Sequence, residues 1–200
     1  MKRYFSIVAA LLLLSSPSIN AQSDAGAIFL LISPGARAGG MGEAQVAVAN
    51  DAYASYWNPA GLAFQEGSEL AVMHVNWLPS LADDMYYEFL GFRRQFPTLG
   101  TLGGHLIYLN LGEQVRMDEY AQYQGTFTSY MMAAAMSYST QLSPSSSFGM
   151  SAKLSYQHLV ELGTGSEKGK GTSTDFGFDL GYMKKGWLTP RLDMGVTTTN

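Results

Sequence analysis

A chain of 200 residues with no cysteine and a formal net charge of −4 carries neither a disulfide framework nor a thiolate metal site, and offers no basic stripe for nucleic acid. Charged residues make up 14% of it and aromatic residues 12%, against roughly 25% charged in a soluble domain. A soluble protein so poor in charge has difficulty covering its surface, whereas a barrel whose outside meets lipid does not.

Residues 1–21 read as a secretory signal peptide. Lys2 and Arg3 give the positive start, Ile7 to Leu14 the apolar centre, and Ile19-Asn20-Ala21 a small-residue exit before Gln22. The apolar run is shorter than the ~20 residues a transmembrane helix needs. Beyond the leader there is no second apolar run of spanning length; Ala27 to Ile32 is only a short one. Residence in a membrane would therefore require a β-barrel, the other fold that satisfies every backbone group in lipid.

Residues 22–67 read as an N-terminal plug, compact and mostly irregular, around which later strands wrap. Gly35, Gly39, Gly40 and Gly42 permit positive φ and close backbone approach. Asp51 is placed to cap a short helix over Ala52 to Trp57, and Asn58-Pro59 to stop it, because the residue before proline is pushed out of the α region. The glycines fail as a phosphate loop, since Met41-Gly42 stand where Lys-Ser/Thr is needed. They fail as a dinucleotide motif because Gln45 occupies the third glycine position.

Residues 68–200 alternate with period two, predicting an all-β transmembrane antiparallel barrel of about seven strands near 69–77, 85–95, 101–111, 127–141, 148–161, 174–184 and 191–199. Phe148, Met150, Ala152, Leu154 and Tyr156 alternate with Gly149, Ser151, Lys153, Ser155 and Gln157, and Phe176, Phe178, Leu180 and Tyr182 with Asp175, Gly177, Asp179 and Gly181. Thr128, Tyr130, Met132, Ala134, Met136 and Tyr138 form one face of the fourth strand. Lys153, Asp175 and Asp179 are then expected to face the lumen. Tyr130, Tyr138, Phe148, Tyr156 and Tyr182 are expected to form aromatic girdles. Tyr130 to Tyr138 and Phe148 to Tyr156 are each eight residues apart, roughly 26 Å along a strand and about 20 Å of depth at ~40° tilt.

Short connections at Phe96–Gly100, Leu142–Ser147 and Lys185–Pro190 alternate with longer ones at Leu78–Asp84, Gly112–Thr126 and Leu162–Ser173, as periplasmic turns and outer loops do. The Glu167-Lys168-Gly169-Lys170 stretch reads as a flexible outer loop. Seven is an odd number for a single-chain barrel, so Asn200 is expected to be a truncation point within a larger one. Arg37 is the expected counter-ion for one of the lumen aspartates. His74, His105 and His158 fall on three different strands, without a nucleophile elbow or a His-Glu-x-x-His helix, so no enzyme, metal site or cofactor is expected.

Arg37-Ala38-Gly39-Gly40-Met41-Gly42, Asp51-Ala52 and Trp57-Asn58-Pro59-Ala60-Gly61-Leu62 together resemble the PorV/PorQ outer-membrane proteins, relatives of the FadL fatty-acid channels. Tyr108 to Gly112, Lys153 to Tyr156 and Asp179 to Gly181 resemble successive strands of that family in the same order. The resemblance implies an outer-membrane barrel with about twice this many strands, set in outer-membrane lipid. It also implies one of two roles. In one, the protein is an accessory of type IX secretion that holds or passes cargo at the cell surface, with secretion-system components and cargo as partners. In the other, it is a FadL-like channel through which a small apolar molecule enters passively and leaves sideways into the membrane.

Overall fold

The computed structural model describes residues 27–118, 120–160 and 171–199. The expected signal peptide and the Glu167–Lys170 loop lie outside the described residues.

One antiparallel sheet dominates, with β1 Ser68–Asn76, β2 Tyr86–Phe96, β3 Gly100–Met117, β4 Tyr123–Ser143, β5 Ser146–Val160, β6 Gly171–Lys184 and β7 Met194–Thr198. Each strand pairs with the next in chain order, β1 through β7. This is the seven-strand meander that the alternation predicts. The chain ahead of it folds into a 3-10 turn at Ile28–Leu31, α1 at Ala36–Gly40, α2 at Ala54–Trp57 and a second 3-10 turn at Pro59–Phe64.

Three boundaries differ from expectation. The stretch 112–126 is no long loop: β3 runs on to Met117 and β4 starts at Tyr123, pairing Gln114 with Phe127 and Val115 with Thr126. Arg116, Asp118 and Glu119 read as solvated in the sequence, but a ribbon that has left an apolar band need not alternate apolar with polar. A bulge between Asn110 and Glu113 marks the departure, where Gly112 takes φ 75°. Secondly, the connection after β6 extends to Asp193, closed by Trp187 N–H donating to the Leu192 carbonyl at 2.7 Å. Thirdly, the glycine cluster is partly helical. Gly35 (φ 99°) and Gly42 (φ 62°) bracket α1 in the left-handed region, while Gly39 and Gly40 lie inside it.

The N-terminal segment lies against one face of the sheet, and the two share their core. Phe29 is buried with Tyr87 and Phe89 of β2, Ile107 and Leu109 of β3 and Ala133 of β4. Ala38, Ala49, Ala54, Trp57, Ala60 and Leu62 cluster with Met183 of β6. Burying a ring such as Phe29 stabilises the assembly by roughly 1.5–3 kcal/mol, and only contact between segment and strands buries it.

The other face is bare. Leu70, Val72, Leu106, Met136, Phe176, Phe178 and Val196 are all exposed on it. Cross-strand partners share a face, and the register sets Val72 beside Leu90, Leu90 beside Leu106, Ala134 beside Leu154 and Leu154 beside Phe176. The bare face is therefore a continuous apolar belt.

Candidate functional site

The contact between segment and sheet is made backbone to backbone, which strand glycines allow. A Cβ at Gly149 would stand 2.3 Å from the Pro59 carbonyl carbon, at Gly181 2.1 Å from Asn58 Oδ1, and at Gly195 2.4 Å from the Val46 carbonyl oxygen. Glycines inside strands mark such approaches. In the sequence, Gly149 and Gly181 read only as members of the polar face.

Asn58 is the hub. Fully buried, it donates from Nδ2 to the carbonyls of Val46 at 2.9 Å and Tyr182 at 3.3 Å, while its Oδ1 accepts the Ala60 N–H at 3.1 Å. One side chain thus closes its own turn, ties it to the loop before it and fastens both to β6. Asn58 is extended at φ −163° and ends α2, as the following proline requires. Pro59, Ala60 and Gly61 carry the turn onward. Ser147 Oγ donates to the Ala60 carbonyl at 2.7 Å, and Gln141 Nε2 to that of Ala63 at 3.0 Å. Trp57 Nε1 donates to the Pro34 carbonyl at 3.2 Å, Tyr56 Oη to that of Leu30 at 2.7 Å, and Tyr87 Oη to that of Ile32 at 3.2 Å.

Asp51 receives the Tyr53 N–H at 3.1 Å, and α2 begins at Ala54, two residues later than expected. Burial pushes its carboxyl above the ordinary 3.8, outweighing the pull of the Arg37 guanidinium and the Tyr53 N–H. Arg37 does not reach a sheet aspartate. Its guanidinium lies 3.4 Å from Asp51 and also meets Asn50, half exposed. Met41 and Gly42 follow α1 at the surface. The reason is local: Arg37 is on the outward side of α1, and Asp179 is already engaged.

Lys153 Nζ donates to Asp179 Oδ1 at 2.9 Å across β5 and β6, the two side chains being 10% and 3% exposed. Both project from the covered face, as does Asp175, which stays exposed and accepts from Ser173 Oγ at 2.9 Å. Next to this pair, between the N-terminal segment and β3, β5, β6 and β7, is a cavity of about 710 Å³. Ala27, Ile28, Leu30, Leu31 and Val46 supply an apolar wall, and His105, Lys153, Asp175 and Asp179 a polar one. His105 was not singled out as a lining residue, because a lone histidine in a strand carries no spacing signal.

Tyr130, Tyr138, Phe148, Tyr156 and Tyr182 all project from the bare face, at two levels. Rings of His74, Tyr86, Tyr108, Tyr130 and Tyr156 follow one another across β1 to β5, with successive centroids 6.0, 6.0, 5.9 and 6.2 Å apart. At the other level Phe148 is paired with Tyr182, and Tyr138 with Met150. The apolar belt lies between the two.

A meander whose exposed face is apolar between two aromatic levels, and whose polar face is covered by its own N-terminal segment, has the architecture of a partial outer-membrane β-barrel. No helix among the described residues is long and apolar enough to cross a membrane; a barrel crosses with strands. The family model described as type IX secretion system protein PorV matches residues 19–187, and the chain belongs to that family of secretion-related outer-membrane proteins. Comparison with curated proteins found no match.

Proposed function

We propose that the protein is an outer-membrane accessory of type IX secretion that holds secreted proteins at the cell surface or passes them on. The observation that carries this reading is the family match, which runs from residue 19 through β6 and into the connection that follows it. The β3–β4 ribbon adds support from geometry. It stands beyond the aromatic row of Tyr108 and Tyr130 and exposes Val115, Met117, Tyr120 and Tyr123 around a tip held by Asp118. Exposed apolar and aromatic side chains on a projecting ribbon suit contact with another protein. The N-terminal segment serves as the plug, and the Lys153–Asp179 pair belongs to the polar lining against which it is seated.

The test is secretion itself. Photo-crosslinkers at Tyr120 and Tyr123 in living cells are expected to capture secreted proteins that bear the type IX carboxy-terminal signal, or components of the machinery. Normal export and surface retention of those proteins in cells lacking this one would contradict the reading.

A second reading is favoured by one observation, the cavity of about 710 Å³ between segment and strands. In it the protein is a FadL-like channel, and a small apolar molecule rests in the cavity before leaving sideways into the membrane. Unchanged uptake of long-chain compounds by knockout cells would count against it.

A further inference from the structure

The cavity beside the Lys153–Asp179 pair has the size of a small-ligand pocket, and such pockets combine apolar walls with a few fixed polar groups. Its polar groups state what kind of head would fit. His105, only 2% exposed, lines the cavity. Ser55 Oγ donates to the Ala52 carbonyl at 3.2 Å, so its oxygen is left to accept from His105 Nδ1, 3.0 Å away. In the neutral ring that arrangement makes Nε2 a hydrogen-bond acceptor. Nε2 is buried and has no partner among the described residues. A buried polar atom without a partner costs free energy that a suitable donor would recover. The ring itself is fixed, stacked on Phe89 at 5.5 Å and met edge-on by Tyr56 at 5.9 Å.

Charge narrows the choice. Among the described residues, two carboxylates, Asp175 and Asp179, and one ammonium, Lys153, line the cavity, and Lys153 is committed to Asp179 at 2.9 Å. A carboxylate head would bring a further negative charge beside Asp175 and Asp179, the two carboxylates of the described lining, and it cannot donate to Nε2. An uncharged hydroxyl can donate to Nε2 and accept from Lys153. The tail would run along Ala27, Ile28, Leu30 and Leu31, of which Ile28 and Leu31 are exposed.

We propose that this cavity is a binding site for an uncharged, hydroxyl-headed amphiphile, with His105 Nε2 accepting from the hydroxyl and the Ile28–Leu31 turn covering the chain. The site concerns occupancy alone and holds whether or not the protein secretes or transports.

Trp57 lines the cavity, and replacing Trp77 and Trp187 with phenylalanine leaves it as the reporter among the 3 tryptophans of the chain. The full-length protein in lipid nanodiscs is titrated with undecanol brominated at its far end, and Trp57 emission is followed. Saturable quenching is expected, reversed by plain undecanol. Brominated undecanoate is expected to bind about tenfold more weakly or worse, and His105→Phe to weaken the alcohol by about tenfold, the loss of one buried hydrogen bond. Should His105→Phe not fold, Leu31→Asp at the exposed mouth keeps the fold and is expected to weaken the alcohol several-fold. Non-saturable quenching, equal binding of alcohol and carboxylate, or indifference to both substitutions would overturn the proposal. None of these results bears on whether secretion depends on the protein.

Discussion

The two faces of the same sheet differ in chemistry, and over β4 to β6 the opposition runs against that of a water-soluble protein. On the covered face β4 to β6 bury Ser137, Ser139, Ser147, Ser151, Ser155 and Asp179, while β2 and β3 bury Tyr87, Phe89, Ile107 and Leu109 against the segment; the bare face exposes Leu70, Val72, Leu106, Phe176 and Phe178. In water the bare-face set would form an apolar patch far larger than monomers present. In the proposed reading, lipid outside and the hydrogen-bonding segment inside would satisfy both faces at once. The difference teaches that alternation fixes which residues lie together, while the identity of the surroundings is read from which set is buried.

The comparison can be broken most severely from the covered side. Lys153→Met removes the ammonium 2.9 Å from Asp179, and breaking a buried pair costs about 3–5 kcal/mol. Unfolding midpoints in lipid vesicles should fall accordingly, while Lys153→Met combined with Asp179→Leu should recover most of the loss. Gly149→Val drives a side chain into the Pro59 backbone, where the gap is 2.3 Å. Overpacking of this kind costs about 1–3 kcal/mol, and backbone cannot swing aside, so the upper end is expected in the same assay. From the bare side, Leu154→Arg should cost about 2–4 kcal/mol in a bilayer and much less in detergent micelles, a difference no covered-face substitution should show.

Smaller effects sharpen the same contrast. Arg37→Ala should change stability by no more than about 0.5 kcal/mol, because its pair with Asp51 is half exposed and within the segment. At the ribbon tip, hydrogen bonds from the Gln122 and Tyr120 N–H groups and from Gln124 hold the Asp118 carboxyl below its ordinary 3.8. A depressed folded value means that the tip's ordering is complete above 3.8 and lost as pH falls through the depressed value. Amide exchange at 120–124 should accelerate below that point and should be fast at every pH in Asp118→Ala.

Much of this was legible in the sequence. The alternation of β4 and β5 placed Tyr130 to Tyr138 on one face and Lys153 on the other, because a strand that is half in lipid declares its faces by hydrophobicity. The end of α2 at Asn58-Pro59 was legible because proline restricts its predecessor. The ribbon beyond Asn110 was not, since outside the apolar belt its two faces share one environment. Nor was the Lys153–Asp179 pair. Which counter-ion meets an aspartate depends on register, and Ser151 opposite Asp179 sets Lys153 one step along the same face. The seat of Asn58 against Gly181 depended on which strand glycine the turn would meet.

The central claim, that one face meets hydrocarbon and the other an enclosed segment, is tested most directly by spin labels. With 0 native cysteines, single cysteines at 131 to 137 along β4 can be labelled one at a time in bilayers. Labels at 132, 134 and 136 should collide with oxygen dissolved in lipid and be shielded from an aqueous nickel chelate, with the reverse or neither at 131, 133, 135 and 137. A flat profile along β4, or greater access of the aqueous reagent at 132, 134 and 136, would contradict the account.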